Sequence, residues 1–112
     1  MKGYYELKKT DGGKFHFTLN AGNHEVILSS QLYAEKGSAG IGIESVRTNA
    51  THDASFERKL SAAGEPYFTL KASNGQIIGT SQMYGSEASR DNGITSVRNN
   101  CTSVTVKDLT SG

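Results

Sequence analysis

The spacing of apolar side chains changes period along the chain, and the same changes come round twice. Phe15, Phe17 and Leu19 alternate with His16 and Thr18, and Phe68 and Leu70 alternate with Tyr67 and Thr69, which is the two-residue period of a half-buried strand. Gly22-Asn23 and Asn74-Gly75 follow, and both pairs tolerate the positive φ angles of a tight hairpin. Residues 25–30 and 76–81 are therefore predicted to return as strands. Upstream, Thr10-Asp11-Gly12-Gly13 turns the stretch YYELKK back onto the Phe15 strand, so the chain opens as a three-stranded antiparallel meander.

The period then becomes helical. Ile43, Val46 and Ala50 fall at i, i+3 and i+7, as do Ile94, Val97 and Cys101, which puts each set on one face of a helix. Ser38 and Ser89 are the predicted N-caps, and Gly37 and Gly40 predict a late start for the first helix. Gly42 and Gly93 stand inside these helices, where glycine costs about 1 kcal/mol relative to alanine. Their presence predicts a helix backbone lying close against the sheet. Arg47 and Arg98 can lay their stems on apolar surface and carry the guanidinium to the rim. Residues 104–109 alternate again and are read as a last strand.

These elements belong to an internal repeat. Phe17 maps onto Phe68 and Gly42 onto Gly93 at a constant offset of 51 positions, and GIESVRTN returns as GITSVRNN. In the same register Ala21 meets Ala72, Asn23 meets Asn74, Ile27 meets Ile78, Gln31 meets Gln82, Tyr33 meets Tyr84 and Ser38 meets Ser89. Two units, about 4–53 and 55–109, account for the chain, expected as one domain over 1–112. Two copies are too few for a solenoid, which needs about three to bury a continuous face, so the pair is read as an internal pseudo-dimer. The expected class is α+β, with two helices packed on one face of a single antiparallel sheet.

The runs NGQIIGTSQMY, GITSVRNN and VTVKDL, with their first-half counterparts NHEVILSSQLY and GIESVRTN, resemble the YegP-like family of small bacterial proteins. The likeness covers almost the whole chain. It implies a β-β-β-α-β unit used twice, with terminal strands exchanged between the units. It implies a fold and no catalytic residues, since the family comes without an established biochemical activity. Where many copies of the unit have Asn-Gly at the hairpin, the first half has Asn23-His24.

Composition narrows the function. A formal charge of +1 arises from twelve basic and eleven acidic residues scattered among each other, so no polybasic run invites nucleic acid or a membrane surface. The start shows no signal peptide and no window approaches a membrane span, so a cytosolic protein is expected. The single Cys101 cannot form an internal disulfide and reads as a small buried hydrophobe. His16, His24 and His52 form no metal-binding spacing, and no G-x-S-x-G elbow is present. The run GIGIES imitates a dinucleotide fingerprint without its final glycine or its βαβ unit. No catalytic, metal or cofactor site is therefore expected.

What remains is surface. If Phe17, Leu19, Phe68 and Leu70 face the helices, His16 and Tyr67 lie on the opposite, open face, where an aromatic ring could stack on a base. Tyr33 and Tyr84 lie between the last meander strand and each helix, and read first as packing anchors. Arg47 and Arg98 are the basic residues repeated in both helix motifs. The expectation is a non-enzymatic binding or interaction module, monomeric or a small homo-oligomer, whose partner is a protein or a small ligand. The alternative is a single-stranded nucleic-acid binder using the open sheet face.

Overall fold

The computed structural model describes residues 3–110. Three strands, β1 (Tyr4–Lys9), β2 (Phe15–Asn20) and β3 (Val26–Ser30), lead into helix α1 (Lys36–Asn49). A short 3-10 turn, Asp53–Ser55, passes into β4 (Phe56–Leu60), β5 (Pro66–Lys71), β6 (Ile77–Thr80) and helix α2 (Glu87–Asn100), and β7 (Val106–Asp108) closes the chain. All seven strands form one sheet in the order β4-β5-β6-β3-β2-β1-β7. The two meanders meet at the antiparallel β3–β6 pair, where Ser29 opposes Thr80. Since Ser29 and Thr80 are equivalent in the repeat, the pseudo-twofold axis passes through that pair.

The helices cross this axis. Helix α1 packs on β2 of its own half and on β5 and β6 of the other, and α2 packs on β5 and also on β2 and β3. The predicted helical face is buried: Ile43, Val46 and Ala50, with Ile94, Val97 and Cys101, join Tyr5, Phe17, Leu19, Leu28, Phe68 and Leu70 in the core. Each meander carries a bulge, at Leu19/Asn20 against β3 and at Leu70/Lys71 against β6. The extra residue of a bulge disturbs strict alternation, which is how Ile27 and Leu28, consecutive in β3, are both buried in the core cluster.

Four details differ from the sequence reading. The helices begin earlier than predicted, at Lys36 and Glu87, so Ser38 and Ser89 are not N-caps. Ser86 caps α2 by accepting from the Ser89 N–H at 3.1 Å, while Glu35 precedes α1 without a side-chain cap. Gly37 and Gly40 do not delay α1; neither would meet a neighbour with an added Cβ. The sheet is antiparallel except at one edge, where β7 runs parallel to β1. Finally, the described residues form seven strands and not eight, because the segment after α1 turns directly into β4. The strand exchange implied by family resemblance thus occurs once, with β7 of the second half lying beside β1 of the first.

Gly42 and Gly93 lie as close to their surroundings as predicted, and the close neighbours are aromatic rings. A Cβ on Gly42 would stand 2.9 Å from Phe17 Cε2 and collide with the Tyr33 hydroxyl; one on Gly93 would stand 2.6 Å from Tyr84 Cζ. Tyr33 in turn stacks on Phe17 and Tyr84 on Phe68, with centroids 6.2 Å apart in both pairs.

Candidate functional site

On the helix-free face, the register aligns one residue from each of six strands: Glu57, Thr69, Thr80, Ser29, Thr18 and Glu6. His16 and Tyr67 flank this row, opposite Lys8 and Lys59. They sit on strands β2 and β5, which lie three spacings or about 14 Å apart, and on opposite sides of the row, so they do not form one cluster. The lysines of the face are paired. Lys71 and Lys59 lie 2.7 and 2.9 Å from Glu57, and Lys8 lies 3.5 Å from Glu6. Hydrogen bonds from Lys71 and then Lys59 hold the Glu57 carboxyl down at about 2.

The two ends of the row are finished differently. In the first half the Thr18 hydroxyl donates to Asn20 Oδ1 at 2.7 Å, and the Asn20 amide reaches Glu6 Oε1 at 3.2 Å. Tyr4 Oη lies 2.8 Å from His24 Nδ1, and Lys107 Nζ stands 4.1 Å above the Tyr4 ring. In the second half Lys71 replaces Asn20 and turns to Glu57, which leaves the buried Thr69 Oγ1 without a partner among the described residues.

Tyr33 and Tyr84 occupy a different setting. Each forms part of a groove on the helix side, about 260 Å³ beside α1 and about 280 Å³ beside α2. The α1 groove joins Tyr33, Ser38, Gly42 and Ser45 to Ala72, Asn74 and Ile78 of the opposite half. The α2 groove joins Tyr84, Ser89, Gly93 and Ser96 to Ala21, Asn23 and Ile27. These are equivalent residues, so the grooves are pseudo-symmetric copies, each completed by the other half's hairpin. Burial pushes the Tyr33 and Tyr84 hydroxyls above the ordinary tyrosine range, and the neighbouring Gln31 and Gln82 amides hold them partly back.

Chain positions explain the assembly. Asn23 and Asn74 form the hairpin turns, each accepting at Oδ1 from the backbone N–H two residues on, at 3.0 Å. Because each hairpin projects beyond the central β3–β6 pair, its turn reaches the helix of the opposite half. The serines follow from helix geometry: Ser38, Gly42 and Ser45 fall at i, i+4 and i+7, one stripe of α1. The sequence reading took the tyrosines as packing anchors and did not bring these residues together. The signal was present in the repeat, since Ala, Asn, Ile, Gln, Tyr, Ser and Gly are the letters the two halves share at these positions.

Arg47 and Arg98 join neither surface. Arg47 lies over the Tyr5 ring at 5.3 Å, donates from Nε to the Ser103 carbonyl at 3.1 Å and pairs with Glu44. Arg98 is more exposed; it donates to the Thr51 carbonyl at 3.5 Å and lies 4.0 Å from Asp53. The two repeated arginines therefore tie down the chain segments that follow each helix. Among the described residues no group of three or more His, Cys, Asp or Glu side chains is placed to hold a metal ion, and no helix is long and apolar enough to cross a membrane.

Two segments, residues 11–57 and 61–108, each match the family described as "Domain of unknown function (DUF1508)". The chain is 54% identical to the UPF0339 protein of Shewanella oneidensis and 52% identical to the UPF0339 protein YegP of Escherichia coli, covering 98% of this chain and 100% of each relative. It therefore belongs to the YegP family of UPF0339 proteins, in the form that carries the domain twice. Two solution NMR structures share the architecture. That of the Shewanella oneidensis protein superposes with a TM-score of 0.93 at 55% identity, covering 98% of this chain and 93% of the other. That of Escherichia coli YegP, described as a protein of unknown function, gives 0.95 at 51% identity, covering 100% and 97%. None of these descriptions records an activity.

Proposed function

We propose that the chain is a non-enzymatic binding module that works through its two repeat-related grooves. One observation carries this reading: seven residue pairs common to both repeats line two equivalent grooves, and each groove is built from both halves. Packing accounts for Gly42 and Gly93 under their tyrosines. It does not account for Ser38 and Ser45, whose hydroxyls line the α1 groove without a hydrogen-bond partner among the described residues.

A cytosolic setting fits the lone Cys101, which is buried and in no disulfide. The nucleic-acid alternative has less to stand on, since the lysines beside His16 and Tyr67 are paired with glutamates and leave little surplus charge for phosphates. The test is an amide correlation spectrum of the nitrogen-labelled full chain, titrated with a library of small polar molecules and separately with single-stranded oligonucleotides. Saturable shifts at Ser38, Gly42, Ser89 and Gly93 are expected. Shifts confined to His16, Tyr67 and the helix-free strands, produced by the oligonucleotides at physiological salt, would replace this reading with the alternative.

A further inference from the structure

The two grooves are copies in sequence but not in state, and that difference points to what they hold. In the α2 groove the polar groups are largely engaged within the protein. Gln82 Nε2 donates to Glu25 Oε1 at 2.8 Å, Ser89 Oγ accepts from Ser86 Oγ at 3.0 Å, and Ser96 Oγ accepts from Asn100 Nδ2 at 3.3 Å. In the α1 groove the equivalent positions carry Gln31, Gln76, Ser38 and Ser45. No bridge joins Gln31 to Gln76, and the two serine hydroxyls have no hydrogen-bond partner among the described residues. In α1 the Asn49 amide donates to the Ser45 carbonyl, whereas the Asn100 amide of α2 reaches both the carbonyl and the hydroxyl of Ser96.

The α1 groove also has no charged side chain in its lining, whereas Glu25 lines the other. An ion entering a pocket without a counter-charge gives up hydration that nothing replaces. A neutral polyol loses nothing of that kind, because each hydroxyl exchanges a water for an amide or hydroxyl of the wall. Ile77, Ile78 and Ala72 supply an apolar side against which the C–H face of a ring can rest. The volume, about 260 Å³, lies below the roughly 300–1,000 Å³ of pockets for drug-sized ligands, so it suits one ring and not a chain of them.

Building on the groove reading above, we infer that the α1 groove is a site for a neutral, monosaccharide-sized polyol, and that the α2 groove is a weaker second site, charged by Glu25 and with its polar groups already engaged within the protein. Ser38, Ser45 and Gln76 supply the hydrogen bonds, with the Tyr33 hydroxyl on the floor. For Glu25 to serve a ligand at the second site, Gln82 must release it.

The probes are N-acetylglucosamine and glucosamine 6-phosphate, titrated into the nitrogen-labelled full chain. With the neutral sugar, amides of Ser38, Gly42, Asn74 and Gln76 are expected to shift first, and those of Ser89, Gly93 and Asn23 only at higher concentration. The phosphorylated sugar should bind the α1 groove at least about tenfold more weakly, because its charge is unpaired there. Glu25→Gln, which makes the second groove match the first at that position, should bring the two affinities within about threefold. Ser38→Ala with Gln76→Ala, both at exposed positions, should weaken the first site about tenfold, the size expected for one or two hydrogen bonds lost. Preference for the phosphorylated sugar, or earlier filling of the α2 groove, would overturn the inference. So would silence with the neutral sugar while cyclohexanol or inorganic phosphate shifts the same amides, a result that keeps the groove reading. Silence at both grooves with every probe would remove both.

Discussion

The repeated motif GIxSVRxN divides by residue into separate physical tasks. Ile and Val fill the core, Arg ties down the segment that follows the other half's helix, and Asn returns its amide to the carbonyl four residues back, at 2.9 Å from Asn49 and 2.7 Å from Asn100. Gly makes room for a tyrosine. Gly93→Ala is therefore expected to destabilise by about 1–3 kcal/mol although alanine is the better helix former. Because the hydroxyl and Cζ of Tyr84 are the atoms in the way, adding Tyr84→Phe should recover part of the loss. Urea denaturation of the two single variants and the double variant measures this, and additive losses would show that the tyrosine is not what the glycine accommodates. The need for a small residue was legible from a glycine inside a helix. That the neighbour is a tyrosine from the approach to the same helix was not, because it depends on a turn in the chain that periodicity does not describe. His24 was legible in a similar partial way. It stands at φ 71° where the second half has Gly75, a conformation that costs a side chain about 1–2 kcal/mol and is held here by the bond to Tyr4.

Among the elements, the edges of the sheet show where periodicity stops being informative. Residues 104–109 alternate, and the structure pairs only Val106–Asp108, parallel to β1. Alternation reports that one side of a segment is apolar; it carries nothing about direction. The Tyr5 N–H donates to the Thr105 carbonyl at 3.0 Å and the Leu109 N–H to the Leu7 carbonyl at 2.8 Å. At the opposite edge no strand among the described residues covers β4. Its first outward N–H, that of Phe56, is taken by the Asp53 carbonyl in the 3-10 turn, and the rest of the edge carries Glu57, Arg58 and Lys59, charges that discourage pairing with another chain. Where α1 has the buried Ala39, α2 has Arg90, which pairs with Asp91 at 3.2 Å; Asp91 also takes Arg58 at 3.1 Å. These pairs set the acid response. Glu57 and Asp91 both have folded pKa values below the ordinary carboxylate range, Glu57 through Lys71 and Lys59, and Asp91 through Arg58 and Arg90. A depressed folded pKa contributes stability above the unfolded value, lost as pH falls through the folded one. For Glu57 that window runs from its ordinary 4.5 down to about 2. Stability should thus be flat near neutrality and fall below about pH 4.5, and Glu57→Gln should flatten part of that fall. Because both carboxylates are exposed, the effect should shrink in high salt; an acid limb that salt and Glu57→Gln both leave unchanged would place its origin elsewhere.

At the scale of the whole molecule, the repeat predicted two equal units, and the structure shows why equality does not mean independence. A fifty-residue unit has too little interior to be stable alone, since chains below about 60 residues bury only a modest share of their surface. Here the sharing is specific. Helix α1 rests on β5 and β6 as well as on its own β2, α2 rests on β2 and β3, and β7 completes the edge beside β1. Both grooves likewise need a hairpin from one half and a helix from the other. Resemblance anticipated the exchanged strand; nothing in the hydrophobic pattern anticipated helices that cross the pseudo-twofold axis, because a helix face records that it is buried and not by which strands. We infer that the chain folds as one unit. Expressed separately, residues 1–53 and 54–112 should each give poorly dispersed amide spectra, and an equimolar mixture should recover much of the dispersion of the full chain by reassembling the β3–β6 contact. A homodimer of either half would be consistent with the same argument, since each half carries the β3-type strand that meets its equivalent at the axis, and sedimentation distinguishes it from a monomer. Well-dispersed spectra from both halves as monomers would show that each core suffices alone, and would also remove the reason for reading the grooves as joint products of the two repeats.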